Sequence, residues 1–338
     1  MAENSKIEWT DHTFNPWEGC QKVGPGCDNC YAEARNARFG GGTAVNWGPG
    51  APRRRTSAAN WRKPLQWNAA HEAFCAAHGR RQRVFCASLA DVFDNAVDPD
   101  WRLDLFALIV ATPNLDWLLL TKRIGNVKDM VADIMWPHLP HVWLGATIVS
   151  QEEANRDIPK LLAIPARVRF LSMEPLLGPV DLEYPEGVYG AGPRMCCGGH
   201  ECGCMGKPID PPLIWGVNWI IVGGESGPGA RPMHPGWARS LRDQCKSARV
   251  PFLFKQWGEW TPGENVERQR GTVDTAFLMD DRWDIYPLNL ATDGGHIDDQ
   301  PDLYRVGKKA AGRWLDGVTH DGFPVDGAEQ VQRQGVRS

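Results

Sequence analysis

The chain has 338 residues, of which 42% are hydrophobic and 23% charged, with a formal net charge of −4. These values allow one barrel-sized domain or two smaller ones, and they exclude a globally disordered chain and a strongly basic nucleic-acid-binding protein. No apolar run approaches the ~20 residues of a membrane span, and the amino terminus lacks the pattern of a signal peptide. We therefore expect a cytoplasmic protein with no membrane contact, in which the ten cysteines are thiols or metal ligands.

Six short apolar runs predict the strands of a parallel sheet. Each run is continuously apolar, which is typical of strands that are buried on both faces. The runs are RVFCASLAD (83–91), DWLLLTKR (116–123), HVWLGATIV (141–149), RVRFLSMEP (167–175), NWIIVGGESG (218–227) and VPFLFKQWGEW (250–260). Helical patterns cover 31–38, 100–110, 151–162 and 235–248. Strands that alternate with helices indicate βαβ units and an α/β fold.

Polar side chains follow the apolar part of every predicted strand. They are Ser88 and Asp91, Thr121 and Lys122, Thr147, Ser172 and Glu174, Glu225 and Ser226, and Lys255 and Gln256. In a barrel of parallel strands the carboxyl ends share one rim, where the active site lies. We therefore expect these side chains to face one cavity, although polar residues also end strands for purely structural reasons.

Glu174 and Glu225 each end a strongly apolar strand, where an unpaired carboxylate would be costly to bury. A cofactor ammonium, a ribose hydroxyl or the neighbouring Lys122 would satisfy them. The alternative is a structural ion pair with Arg169 or Arg231.

The first cysteine cluster lies in the segment NPWEGCQKVGPGCDNCYA, where Cys20, Cys27 and Cys30 have the spacing C-x6-C-x2-C. Glycines and a proline between them let the loop fold back, so that three thiolates can converge on one centre. The helix predicted from Tyr31 begins directly after the loop, and its positive end favours thiolates or an anionic cluster.

The number of ligands favours a [4Fe–4S] cluster over zinc. A structural zinc site usually has a fourth Cys or His, and the candidates here are His12 upstream and the distant His71 and Cys75. Three thiolates on a four-iron cluster leave one iron open for a small molecule, which is the arrangement that radical S-adenosylmethionine enzymes use. A zinc knuckle that uses His12 or a distant ligand is the alternative.

A second group of cysteines lies in a glycine-rich loop and comprises Cys196, Cys197, Cys202 and Cys204. Ligands this dense indicate a small zinc site or a second cluster, but the spacing lacks the paired C-x2-C of a well-formed knuckle. An exposed insertion with unligated thiols is the alternative. Three further cysteines in apolar surroundings are expected in the core, namely Cys75, Cys86 and Cys245.

Several motifs together resemble the phage gp-thirty-seven/gp-sixty-eight family, over about Ile7 to Pro324. They are the cysteine segment, LSMEPLLG, IIVGGESG, KQWGEW and VGKKAAGRWLDG. That family is similar to the radical S-adenosylmethionine enzymes, including the spore photoproduct lyase branch. The resemblance implies a partial (β/α) barrel of parallel strands over 1–260, with the cluster loop after its first strand. A Cys-rich insertion at 185–212 and an irregular C-terminal extension at 261–338, packed on the barrel, complete this division.

The resemblance also implies ligands and site residues. S-adenosylmethionine and an electron-donor protein are the expected partners. The IIVGGESG segment resembles the glycine-rich late strand that contacts adenine in such barrels, although its glycines also fit a tight strand-to-loop turn. The candidate cofactor contacts are Ser88, Asp91, Thr147, Gly223, Gly224 and Glu225, and the candidate catalytic residues are Glu174 and Lys122.

The sequence departs from most radical enzymes of this kind at three points. Those enzymes space their cysteines C-x3-C-x2-C, with an aromatic residue just before the third cysteine. Here the first gap is six residues, Asn29 precedes the third cysteine and Tyr31 follows it. No GGEP-type motif follows the second strand, where Ser88 and Asp91 in SLADVFD are the nearest counterpart.

The leading hypothesis is therefore a radical enzyme that acts on a nucleic-acid or nucleotide substrate. Basic residues interleaved with tryptophans suit phosphate contact and base stacking, or else form a solvated face with Trp packed beneath it. These residues are Arg53, Arg54, Arg55, Arg62, Lys63, Arg80, Arg81 and Arg83, with Trp47, Trp61 and Trp67. A non-enzymatic, zinc-stabilised binding protein of phage origin is the competing hypothesis. A metal-dependent hydrolase is disfavoured because the sequence has no H-x-H or H-E-x-x-H motif.

Overall fold

Seven parallel strands form the central sheet of the computed structural model, which describes residues 5, 7–131, 139–184, 211–266, 271–289 and 302–324. The strands of the described residues are β1 (His12–Phe14), β2 (Trp17–Glu18), β3 (Arg54–Arg55), β4 (Gln82–Cys86), β5 (Leu115–Thr121), β6 (Val142–Thr147), β7 (Val168–Met173), β8 (Trp219–Gly223), β9 (Phe252–Gln256), β10 (Trp260–Pro262), β11 (Thr272–Met279), β12 (Arg282–Asn289) and β13 (Leu303–Arg305). The helices are α1 (Tyr31–Phe39), α2 (Ala58–Trp61), α3 (Lys63–Ala69), α4 (His71–His78), α5 (Pro99–Ala111), α6 (Val127–Met130), α7 (Gln151–Leu162), α8 (Pro235–Ala248) and α9 (Lys308–Ala311).

The central sheet has the order β1-β4-β5-β6-β7-β8-β9. Its strands therefore follow one another across the sheet in the order in which they occur along the chain. All six pairings are parallel, and the sheet curls into a half-barrel. The mixed α/β architecture with a curled parallel sheet confirms the predicted α/β class and agrees with a partial barrel. Because parallel strands point the same way, all their carboxyl ends meet at one edge.

The convex face of the sheet packs against helices. Leu119 and Leu144 of the sheet share one apolar cluster with Leu105 of α5, Ile158 of α7 and Leu241 of α8. Successive side chains of a strand point to opposite faces, so the neighbours of these residues face the concave side. Helix starts agree with local chemistry, since the side chains of Ser57, Asp98 and Ser150 cap the helices that follow them.

The concave face is filled by aromatic side chains over the amino-terminal half of its strands. Phe85, Phe170 and Trp219 pack there around Trp9, which enters from the amino-terminal segment. Phe323 from the other end of the described chain lies on Trp219, with ring centroids 5.0 Å apart. This aromatic floor closes the lower half of the half-barrel and leaves its carboxyl edge to other residues.

The six predicted strands and four predicted helices are present, with small shifts at their ends. Strand β1 was not among the predicted strands, because three residues are too short for an apolar run to stand out. The expectation of a buried Cys75 was wrong, since this side chain is exposed on α4, whereas Cys86 and Cys245 are buried.

The region after residue 260 is more regular than the irregular extension expected from the sequence. Strands β10, β13, β11 and β12 form a four-stranded antiparallel sheet. The chain then returns to the half-barrel, where Phe254 N donates to His320 O at 3.0 Å and Leu253 forms a bridge with Asp321. Among the described residues, no helix is both long and apolar enough to cross a membrane.

Candidate functional site

The loop that carries the three cysteines lies across the carboxyl edge of the sheet. A Cβ atom built on Gly26 would meet Val149 Cγ1 at 2.7 Å and Lys122 Cε at 3.5 Å. The loop backbone therefore rests directly on the ends of β5 and β6, and only glycine permits this approach. The hydroxyl of Tyr31, the first residue of α1, donates to the carbonyl of Ser88 just beyond β4.

The buried ion pair of Arg123 with Asp91 contacts Cys20. The Arg123 guanidinium donates to Cys20 Sγ at 3.4 Å and to Gln21 O at 2.9 Å, and it pairs with Asp91 Oδ2 at 3.0 Å. Both charged side chains are only 7% exposed. Asp91 also accepts from the Thr121 hydroxyl at 2.7 Å, so its carboxylate is held on two sides. Burial raises the pKa of the Cys20 thiol to about 11, and the positive charge of Arg123 opposes this shift.

The other side of the loop is tied to the segment after β8. Arg231 donates to Asp28 Oδ2 at 3.0 Å, to Pro25 O at 2.8 Å and to both oxygens of Glu225 at 2.8 and 3.0 Å. Asn29 Nδ2 donates to Glu225 Oε2 at 2.9 Å. Burial alone would raise the pKa of Glu225, but the hydrogen bonds from Arg231 and Asn29 outweigh it and lower that pKa.

The loop carries three cysteine side chains. Cys20, Cys27 and Cys30 are free thiols. Within the described ranges, no three His, Cys, Asp or Glu side chains are placed to share one metal ion. The Arg123 guanidinium places positive charge beside the Cys20 sulfur.

His12 contacts residues of β4 and α3. Its Nε2 lies 2.6 Å from Gln82 Oε1, and its ring stacks on Trp67 with centroids 4.1 Å apart. His12 begins β1, whereas the cysteine loop lies beyond the carboxyl end of that strand. His12 is therefore engaged with Gln82 and Trp67 in this structure, and the zinc knuckle with His12 or a distant ligand stays an alternative hypothesis.

Above the aromatic floor, the concave face carries polar side chains, which we call the polar cup: Lys122, Thr147, Ser172, Glu174 and Lys255. Lys122 Nζ lies 3.5 Å from Thr147 Oγ1, and Lys122 N donates to Asp91 Oδ2 at 3.1 Å. Tyr31 borders the cup, and the residue as a whole is 58% exposed. Its hydroxyl donates to Ser88 O at the edge of the sheet, and the protein packed around the hydroxyl oxygen, rather than around the whole residue, raises its pKa to about 12.

Glu174 forms an ion pair that spans a whole strand. Lys255 Nζ of β9 donates to its two oxygens at 2.6 and 2.8 Å, while β8 lies between their strands. A Cβ on Gly223 would meet Glu174 Cδ at 3.3 Å, so the glycine leaves room for this crossing. Glu174 pairs with Lys255, and not with Lys122 or Arg169, which the sequence had suggested as its partners. Lys255 was noted as a strand-end residue, but nothing in the sequence pairs it with Glu174 across β8.

The two glycines of IIVGGESG have different surroundings. A Cβ on Gly224 would lie 1.9 Å from Trp257 O, so this position must be glycine for the backbones to pack. Glu225 is 6% exposed, and its oxygens are occupied by Arg231 and Asn29. The structural pair of Glu225 with Arg231 is thus present, and a cofactor contact at these residues stays a prediction.

The other residues proposed from the sequence lie either at the carboxyl edge of the sheet or outside the described residues. Ser88 lies at the same edge, where its side chain contacts Asn15 Nδ2 at 3.1 Å. Asp91, Lys122, Thr147, Glu174 and Glu225 also follow strands at this edge, and the expectation that they face one cavity stays a prediction. The second cysteine group of 196, 197, 202 and 204 lies outside the described residues. Arg123 and Arg231 were missed as site residues, because their contacts with the loop join positions 103 and 203 apart in sequence.

The basic residues proposed for nucleic-acid contact are largely neutralised. The ion pairs are Arg53 with Asp94, Arg54 with Glu18, Arg55 with Asp104, Arg80 with Asp11 and Arg81 with Asp116. Arg83 lies over the ring of Phe323, and Trp67 is buried. This arrangement favours the structural alternative for the basic run.

Comparison with known proteins gives one relationship. The sequence matches a family described as protein of unknown function (DUF5131) over residues 4–324. No curated protein and no solved structure matches the chain. Because the match covers nearly all of the half-barrel and the antiparallel sheet, the chain belongs to the DUF5131 family.

Proposed function

We propose that this chain is an iron–sulfur enzyme of the radical S-adenosylmethionine type, working in a reducing cytoplasm. In this proposal Cys20, Cys27 and Cys30 bind one [4Fe–4S] cluster, and the polar cup receives S-adenosylmethionine and substrate. The observation that carries the proposal is the placement of three free thiols in one loop across the carboxyl edge of a curled parallel sheet. Active sites of barrels built from parallel strands lie at this edge.

When bound, such a cluster supplies an electron that cleaves the sulfonium of S-adenosylmethionine and yields a 5′-deoxyadenosyl radical. The protein contributes position and shielding. Arg123 fixes Cys20 and offers positive charge beside its sulfur. The aromatic floor closes the lower half of the barrel and excludes water from that side, which favours radical chemistry.

The proposed substrate class is a nucleotide or nucleic acid, and its support comes from the cup. The Lys122 ammonium lies 3.5 Å from Thr147 Oγ1 and feels the charge of Glu153, and its positive charge in the cup suits a phosphate or carboxylate. Tyr31, an exposed aromatic residue beside the cup, offers a side chain on which a base could stack. Glu174 and Lys255 form a fixed pair of charges on the opposite wall.

Anaerobic incubation of iron-loaded protein with S-adenosylmethionine and a strong reductant tests this function. We expect 5′-deoxyadenosine from the wild-type protein and none from the Cys27→Ala variant. Methionine should form in equal amount, because both products come from one cleavage. Iron-loaded wild-type protein that forms no 5′-deoxyadenosine would contradict the proposal.

A further inference from the structure

We propose that Arg231 and Glu225 are positioning residues that hold the segment from Pro25 to Cys30 in its ligand-binding conformation before any metal binds. This proposal rests on the proposed function, because the proposed function is what gives these cysteines a cluster to hold. It gives Glu225 the role of anchoring the cysteine loop.

Arg231 makes contacts on both sides of the gap between the loop and the sheet. Toward the loop, it donates to Asp28 Oδ2 and Pro25 O at 3.0 and 2.8 Å. Toward the sheet, its Nε and Nη2 donate to Glu225, and so does its backbone N–H at 2.8 Å. A guanidinium with several donors in a fixed plane suits such a bridge.

The two residues between Cys27 and Cys30 are both used in this bridge. Asp28 accepts from Arg231, and Asn29 donates to Glu225 Oε2 and to Gly229 O at 2.9 and 2.7 Å. Gly229 lies close below, since a Cβ there would meet Asn29 Oδ1 at 2.5 Å. The C-x2-C spacing is thus anchored by its own middle residues.

Burial indicates which contact matters most. Glu225 has a side chain only 6% exposed, whereas Asp28 is 56% exposed. Loss of Arg231 would leave a buried carboxylate with fewer donors, which is costly, whereas loss of Asp28 would break an exposed pair of small value. Cys20 has a separate anchor in Arg123, so the two ends of the loop are held independently.

Hydrogen exchange of metal-free, full-length protein tests the bridge directly. The amides of Cys27 and Asp28 donate to Gly24 O and Pro25 O, so they are protected while the loop is held. We expect Arg231→Ala to speed their exchange about tenfold, as expected for losing hydrogen bonds to a charged group, and Arg231→Lys to have a smaller effect. Arg239→Ala is the matched control, because Arg239 pairs with Glu264 and Asp316 and makes no described contact with the loop.

A second readout is the release of iron to a chelator from reconstituted protein. We expect release about tenfold faster from Arg231→Ala, and Asn29→Ala to change it in the same direction without disturbing Arg231. Unchanged exchange in both the Arg231→Ala and Asn29→Ala proteins would overturn the proposal. Wild-type protein that binds no iron would instead overturn the proposed function, a result that exchange in metal-free protein does not affect.

Discussion

The two halves of the concave face are built on the same strands but differ in chemistry. The lower half carries Phe85, Phe170 and Trp219, which are nearly or fully buried around Trp9. Toward the carboxyl end of the strands the same face becomes polar, as Phe170 is followed by Ser172 and Glu174. The lower half therefore supplies apolar burial, and the upper half places charges at the edge where the cysteine loop lies. We expect substitutions in the lower half to reduce the free energy of unfolding. We expect substitutions in the upper half to reduce ligand binding.

The sharpest test of the upper half is the loss of a cysteine. We expect Cys27→Ala to remove most of the iron and the ~400 nm absorbance of a thiolate-ligated cluster, because three ligands act together. Cys75→Ala is the matched control, since Cys75 is exposed on α4. Iron content and the absorbance spectrum measure both effects. Full iron content in the Cys27→Ala protein would show that the loop does not bind the metal.

The lower half is best tested at Trp219, which is fully buried and donates from Nε1 to Gly322 O at 2.7 Å. We expect Trp219→Ala to lower the free energy of unfolding by about 3–5 kcal/mol, the usual cost of removing a large buried aromatic side chain. Thr147→Val in the polar cup should cost about 1 kcal/mol or less. Denaturant unfolding compares the two, and equal losses would show that the halves do not divide as described.

Two adjacent glycines lie at the carboxyl end of β8, beside the polar cup. Gly224→Ala should lower the free energy of unfolding by about 3 kcal/mol, because its Cβ would lie 1.9 Å from Trp257 O. Gly223→Ala should cost about 1 kcal/mol, because only the side chain of Glu174 must shift. Thermal unfolding measures this difference. A larger loss from Gly223→Ala than from Gly224→Ala would contradict the packing account.

The smallest effect is expected from the second cysteine group. Replacing Cys196, Cys197, Cys202 and Cys204 together with Ser should leave the iron of the first site in place, since loops between strands tolerate change. Iron analysis of this variant measures the effect. If the replacement removes the iron, the two groups form one site.

Much of the sheet could be predicted from the sequence, because strands buried on both faces leave continuous apolar runs. Strand β12 was missed because most of its side chains are exposed, so no such run marks it. The edge of the sheet also followed from the pattern, since strand ends must meet. The partners at that edge did not, because Glu174 pairs across β8 and Arg231 pairs with Asp28 over 203 positions. Such pairs depend on tertiary packing, which residue spacing does not encode.

Metal analysis of wild-type protein purified without oxygen tests the central claim most directly. The account predicts about four iron and four sulfide per chain, held by Cys20, Cys27 and Cys30. Zinc alone, with no sulfide and an unchanged fold, would contradict the account and favour a zinc-stabilised binding protein.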